Sequence, residues 1–199
     1  MTDVDMVDVS LPVQAPLVPA NHAWALAQAL CKRLGWLSQE PMAGVHPIKL
    51  AQGNAQHHGL AARARLLLRL PRQRVSELDT LAQSSLTVDD TVWTLGDLQV
   101  REIQAHSTLY AYRVHAPQDT EAAFMQQVEQ SLQQMGVQAH TVCGLHQSLP
   151  HPVEPLASYS LMLHGLDAAQ SVRVQQQGLG LHRLMGCGVF VPHKSAAAV

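Results

Sequence analysis

A chain of 199 residues with 47% hydrophobic side chains has enough apolar surface to build one large domain or two small ones. Charged residues make up only 14% and the formal net charge is −2, which excludes a global basic field for gripping polyanions. Its 12 histidines are a reserve of charge, available near neutral pH or beside a polyanion.

Val4 to Val13 mixes valines and a leucine with acidic residues at strand-like spacing, closed off by Pro12, Pro16 and Pro19, and predicts a first strand. Asn21 is placed to cap a helix running through Leu34. Leu26, Leu30 and Leu34 form its stripe, Lys32 and Arg33 its last turn, and Gly35 its stop. Gln39 to Gly59 is turn-rich, with a short strand expected near His46. In the run 62–70, Arg63, Arg65 and Arg69 alternate with Ala64, Leu66, Leu68 and Leu70, a period of two that puts three arginines on one sheet face. Pro71 suits a first helical position, and Val75, Leu78 and Leu81 predict a helix to about Ser84. A strand from Thr91 to Arg101 completes a βαββαβ order.

The second half repeats that order. Thr108 to His115 alternates as a strand, and Thr120 to Met135 is an amphipathic helix with Phe124, Val128, Leu132 and Met135 on one side, stopped by Gly136. Val137 to Cys143 reads as a short strand, and Pro150, Pro152 and Pro155 mark a long loop. Ser158 to Leu163 is another strand, Asp167 caps a helix to about Gln177, and Cys187 to Val191 closes the set. The fold class expected is α+β, two tandem ferredoxin-like, RRM-like units over residues 1–104 and 105–199.

Cys31, Cys143 and Cys187 lie far apart without a CxxC spacing, which points to reduced thiols and away from a zinc framework. The N-terminal Met-Thr-Asp-Val-Asp lacks the basic start and apolar run of a signal peptide, and no apolar segment reaches transmembrane length. A soluble cytoplasmic protein without a membrane partner is therefore expected.

Between the last helix and the last strand lies Gly178-Leu-Gly-Leu-His-Arg-Leu-Met-Gly-Cys-Gly188. Two Gly-apolar-Gly units make the backbone turn tightly and approach something closely twice, which glycine permits by lacking a Cβ. The dinucleotide-binding fingerprint is GxGxxG early in the chain, and it does not fit here.

This GhGxxxxxGhG pattern, with His182 and Arg183 inside it, resembles the glycine-rich loop of the CRISPR-associated endoribonucleases that cut precursor CRISPR RNA at its repeats, the Cas six family of RAMP proteins. The likeness extends to the first strand and helix, Val45-His-Pro-Ile48, the arginine strand ending in Leu70-Pro71, and Leu163-His-Gly-Leu166. It implies two ferredoxin-like folds and metal-independent attack of a 2′-hydroxyl on the neighbouring phosphate, leaving a 2′,3′-cyclic phosphate and a 5′-hydroxyl, with no cofactor. It also implies a catalytic histidine on the first helix or in the loop after it. His46, held by Pro47, is the first choice, His22 at the helix start the second, and Lys49 a weaker source of charge for the phosphate.

Arg63, Arg65, Arg69, Gly178, Gly180, His182, Arg183, Gly186 and Gly188 are the expected RNA contacts, and no metal ligands are expected. The partners implied are the hairpin of a precursor CRISPR RNA repeat and other subunits of an effector complex. Aromatic residues are only 4% and no stacking motif stands out in the strands, so a stem read by shape is favoured over stacked bases. Two further readings stay open. One is a non-cleaving RNA-binding subunit of the same family. The other is a histidine-rich metal protein, weakened because His57, His58, His146 and His151 lack HxH or HxxxH spacing.

Overall fold

In the computed structural model, which describes residues 4–19, 21–51, 57–61, 63–118 and 120–194, the chain divides into two compact units, Met1–Glu102 and Ile103–Val199. Each has its own antiparallel sheet, so the class is α+β.

The first unit runs β1 (Met6–Gln14), β2 (Val18–Pro19), α1 (His22–Arg33), β3 (Gly44–Val45), β4 (His57–His58), β5 (Arg65–Pro71), β6 (Ser85–Val88), β7 (Thr91–Leu95) and β8 (Gln99–Glu102). β1 is central because both its edges are paired. β5 lies along one side from Met6↔Pro71 to Pro12↔Arg65, and β8 along the other from Val7↔Glu102 to Ser10↔Gln99. With β3 on the far side of β5, the order β3-β5-β1-β8 is that of a ferredoxin-like sheet. Val7, Val9 and Leu11 are fully buried, and α1 adds Leu26 and Leu30 to the core. Asn21 starts α1 through its carbonyl alone, which accepts the Trp24 and Ala25 N–H groups, and its side chain makes no capping bond.

The helix expected after Pro71 is absent. Pro71 ends β5, Arg72–Leu78 form a 3-10 helix, and the β6–β7 hairpin follows. The physical reason is the spacing: Val75, Leu78 and Leu81 recur every three residues, the period of a 3-10 turn, and never reach the i, i+4 stripe of an α-helix. The strand expected over 91–101 is two strands, split where the Gly96 N–H donates to the Pro12 carbonyl (2.9 Å). β7 pairs the end of β1 and β8 its start.

The second unit is β9 (Thr108–His115), α2 (Glu121–Gln134), β10 (His140–Leu149), β11 (Leu156–His164), α3 (Ala168–Gln177) and β12 (Val191–Pro192), in sheet order β10-β11-β9-β12. Both helices start on side-chain caps. The Thr120 hydroxyl accepts the Ala123 N–H, and Asp167 and Gln170 form a reciprocal capping box. Leu109, Ala111, Leu161 and Leu163 pack one sheet face against Phe124, Val128, Leu132 and Val174 of the helices.

β10 is longer than expected and carries a bulge between Cys143 and His146, where the Leu145 N–H donates to the Ser160 hydroxyl (2.9 Å). The strand expected over 187–191 shrinks to β12, because Gly188 at φ +66° takes the backbone out of extended geometry. Among the described residues no helix is long and apolar enough to cross a membrane, and all three cysteines are free thiols.

Candidate functional site

In the first unit three polar side chains converge inside the sheet. Asp8 on β1 stands opposite Arg69 on β5 in the strand register. The Arg69 guanidinium donates to both carboxylate oxygens, at 2.7 Å to Oδ1 and 2.8 Å to Oδ2. His46 follows directly on β3, its backbone N–H donating to the Leu67 carbonyl (2.9 Å), and its ring Nε2 sits 3.2 Å from Asp8 Oδ1. Burial would by itself raise the Asp8 carboxyl, but hydrogen bonds from His46 and Arg69 and the charge they carry hold it well below the usual carboxylate range. Asp8 is thus a standing anion that orients the His46 ring.

The expected three-arginine face does not form. Arg63 lies outside β5, exposed, in a left-handed conformation (φ 62°) that breaks the alternation. Arg65 donates to the Ser10 hydroxyl and to Gln99 Oε1. Arg69 is 1% exposed and donates from Nε and Nη2 to Asp8, so it is turned into the protein and away from solvent. Arg72 pairs Asp5 and Glu102, and Arg74 pairs Glu77 while lying over the Trp36 ring. Lys49 is exposed. His22 is buried on α1 with Nδ1 3.0 Å from the Pro19 carbonyl, and β4, holding His57 and His58, pairs with β2.

The glycine-rich stretch of the second unit folds back on itself. The Leu179 N–H donates to the Gly188 carbonyl (3.2 Å) and the Gly188 N–H to the Arg113 carbonyl of β9 (2.7 Å), which closes the loop and ties it to the sheet. A Cβ on Gly188 would overlap the Leu179 carbonyl, and one on Gly178 would overlap the Gly188 carbonyl and the Arg183 guanidinium. The close backbone approach expected at these two glycines is therefore internal to the loop. Gly186 closes the short 3-10 turn Arg183–Met185 at φ +86°. Gly180 has a positive φ, yet an added Cβ would meet only ordinary contacts, the nearest at 3.6 Å.

Arg183, expected to contact RNA, is 7% exposed and donates to the Gln176 and Gln177 carbonyls at the end of α3, so its charge caps that helix. Arg173 likewise donates to the Met135 carbonyl ending α2. His182 is half-buried, its ring 4.7 Å from that of His115 and 5.9 Å from that of His151.

Some residues escaped the sequence reading. Asp8 lies between Val7 and Val9, so alternation alone would turn it to the open face of the sheet; its partners Arg69 and His46 come from other strands and leave no signal beside it in the sequence. The aromatic pair Tyr110 and Tyr112 of β9 was not singled out from the sequence. They flank Ala111 of the core, so alternation turns both to the face away from the helices, with rings 5.1 Å apart and Tyr112 exposed. The signal was the Tyr-x-Tyr spacing within a predicted strand. His115 and His151 gave no local signal.

Residues 7–195 match the family model described as Cas6 Crispr. A CRISPR-associated endonuclease Cas6 from Myxococcus xanthus (strain DK1622) is 33% identical over 196 residues, covering 97% of this chain and 84% of the relative. Among solved structures, a CRISPR associated protein Cas6 superposes with a TM-score of 0.67 at 11% identity, covering 96% of this chain and all of the other. A RAMP protein binding different RNA substrates gives 0.70 at 9% identity, covering 94% and 100%. At these identities the structures speak for the fold, two ferredoxin-like units, while the family model and the relative carry the kinship.

Proposed function

The chain belongs to the Cas6 family, and from that premise we propose that it is an endoribonuclease that processes CRISPR RNA, cutting the repeats of the precursor by proton transfer alone. In the proposed reaction a base removes the proton of the 2′-hydroxyl, the resulting alkoxide attacks the adjacent phosphorus, and an acid protonates the departing 5′ oxygen. The products are a 2′,3′-cyclic phosphate and a 5′-hydroxyl. The observation that supports this most is the His46–Asp8 pair. An imidazole whose ring nitrogen is held by a buried carboxylate is fixed in orientation and tautomer, and its imidazolium form is stabilised. Lys49, exposed three residues on, would add charge to the phosphorane. His22 is the alternative base. After the cut the protein would remain on the repeat hairpin as other subunits of an effector complex assemble.

The experiment is incubation of the purified protein with the repeat RNA of its own array in EDTA, with analysis of the product ends. One cut ending in a cyclic phosphate supports the reading. A cut that requires added metal overturns the proton-transfer mechanism.

One observation favours a second reading. His46 is 6% exposed, as a purely structural histidine would be, so the chain could serve as a non-cleaving RNA-binding subunit. Tight hairpin binding without a cut would establish that one.

A further inference from the structure

Arg183 of the glycine-rich loop is turned onto α3, and beside the loop three imidazoles come together. We propose that His115, His151 and His182 together form a binding site for an RNA phosphodiester, in which His115 and His182 take up protons as the phosphate arrives. This rests on RNA being the ligand, as argued above, and adds the chemistry by which the second unit would hold it.

Three separate elements bring the rings together. His115 ends β9, His151 lies in the connection between β10 and β11, and His182 rides on the glycine-rich loop, all three half-buried. His182 is held in a left-handed conformation (φ 62°), which costs a side-chain-bearing residue about 1–2 kcal/mol. Its carbonyl accepts the N–H groups of Met185 (2.9 Å) and Cys187 (3.3 Å), which pins it there. Such a strained residue fixed by its surroundings is a mark of a working position.

Burial first, and neighbouring groups second, disfavour a charge on two of the three rings. Loss of water on burial, then the proximity of His115 and His151, push His182 below its ordinary value of 6.5, and no carboxylate is among the charges acting on it. Burial does the same to His115, whose buried Nδ1 is hydrogen-bonded by no group among the described residues. Protonating that ring without an acceptor would bury an unmet donor. From the adjoining elements, Arg113 of β9 is next to the buried Cys187 thiol, Arg183 faces α3, and α2 contributes the neutral Gln127 amide near Gly180. The three rings are not arranged to ligate one metal ion. His151 accepts the Val153 N–H at Nδ1 (3.4 Å), and a phosphodiester would bring to His115 and His182 a negative charge and acceptor oxygens.

The predicted signature is proton uptake on binding. Affinity for the repeat RNA, measured by fluorescence anisotropy from about pH 8 to about pH 6, should tighten by up to about tenfold per pH unit for each proton taken up. Calorimetry in buffers of different ionisation enthalpy should count those protons. The double variant His151→Gln, His182→Asn should flatten this dependence, asparagine being chosen because it tolerates the left-handed backbone.

A variant pH slope equal to that of the native chain, or binding without proton uptake, overturns the proposal while leaving the RNA reading intact. If the native chain binds no repeat RNA at any pH, the RNA reading fails. Inorganic phosphate followed by histidine NMR then decides this site: an upward shift of the His115 and His182 titrations supports it, and none ends it.

Discussion

His46 in the first unit shares its surroundings with a carboxylate and a guanidinium, whereas His182 in the second shares its own with two more imidazoles. Opposite charges at hydrogen-bond distance make the first group a permanent, oriented assembly. In the second, burial and then the neighbouring imidazoles push His182 below its ordinary value. The difference between the two groups comes from what each imidazole faces.

The comparison breaks most sharply at His46 itself. His46→Ala should slow cleavage about 10²–10⁴-fold, the usual contribution of a positioned acid or base, with hairpin affinity within a few-fold of native; single-turnover assays would measure both. An unaltered rate moves the base to His22.

Asp8→Ala should come next, since it removes the carboxylate that accepts two of the buried Arg69 N–H groups. A loss of about 3–5 kcal/mol is expected for breaking such a buried pair, read from urea unfolding. A loss under about 1 kcal/mol would mean that water reaches Arg69.

Gly188→Ala should cost about 1–2 kcal/mol for its backbone conformation and about 1–3 more for the overlap with Leu179, whereas Gly180→Ala should cost only the first. Equal effects at the two sites would show that the loop does not close as described.

The smallest effect separates the units by pH. Asp8 titrates below its ordinary 3.8 when folded, so its contribution is complete above that value and is lost only as pH falls below it. His115 and His182 titrate below 6.5 when folded, so the unfolded chain binds more protons in that window and stability falls as pH drops through 6.5. Unfolding followed between about pH 7 and about pH 5 should show the second unit weakening first.

These contrasts also explain what the sequence disclosed. The second unit was readable in order because its signals are local: Thr120 and Asp167 cap their helices within three residues, and Phe124, Val128 and Leu132 repeat at the helical period. The first unit misled where local spacing was ambiguous, as with Val75, Leu78 and Leu81. Arginines misled more, because a partner far along the chain decides whether a guanidinium faces water. Asp8 is 61 residues from Arg69, and Arg183 reaches back six and seven residues to the Gln177 and Gln176 carbonyls because the glycine-rich loop turns the chain onto the end of α3. The convergence of His115, His151 and His182 depends on the whole βαββαβ path and left no trace at any one position.

The bulge of β10 bears on how the protein behaves in a crowded solution. β10 is an outermost strand of its sheet, and a regular outer strand invites a second molecule to add its own, the first step towards aggregation. Many proteins guard such a border with lysines, but β10 has none, in a chain whose charged residues are only 14%. Here the guard is geometric. The register slips between Cys143 and His146, and a side chain on Gly144 would overlap the Ser160 hydroxyl that holds the slip in place. The border is left uneven, and a neighbouring strand finds no continuous row of backbone groups to copy.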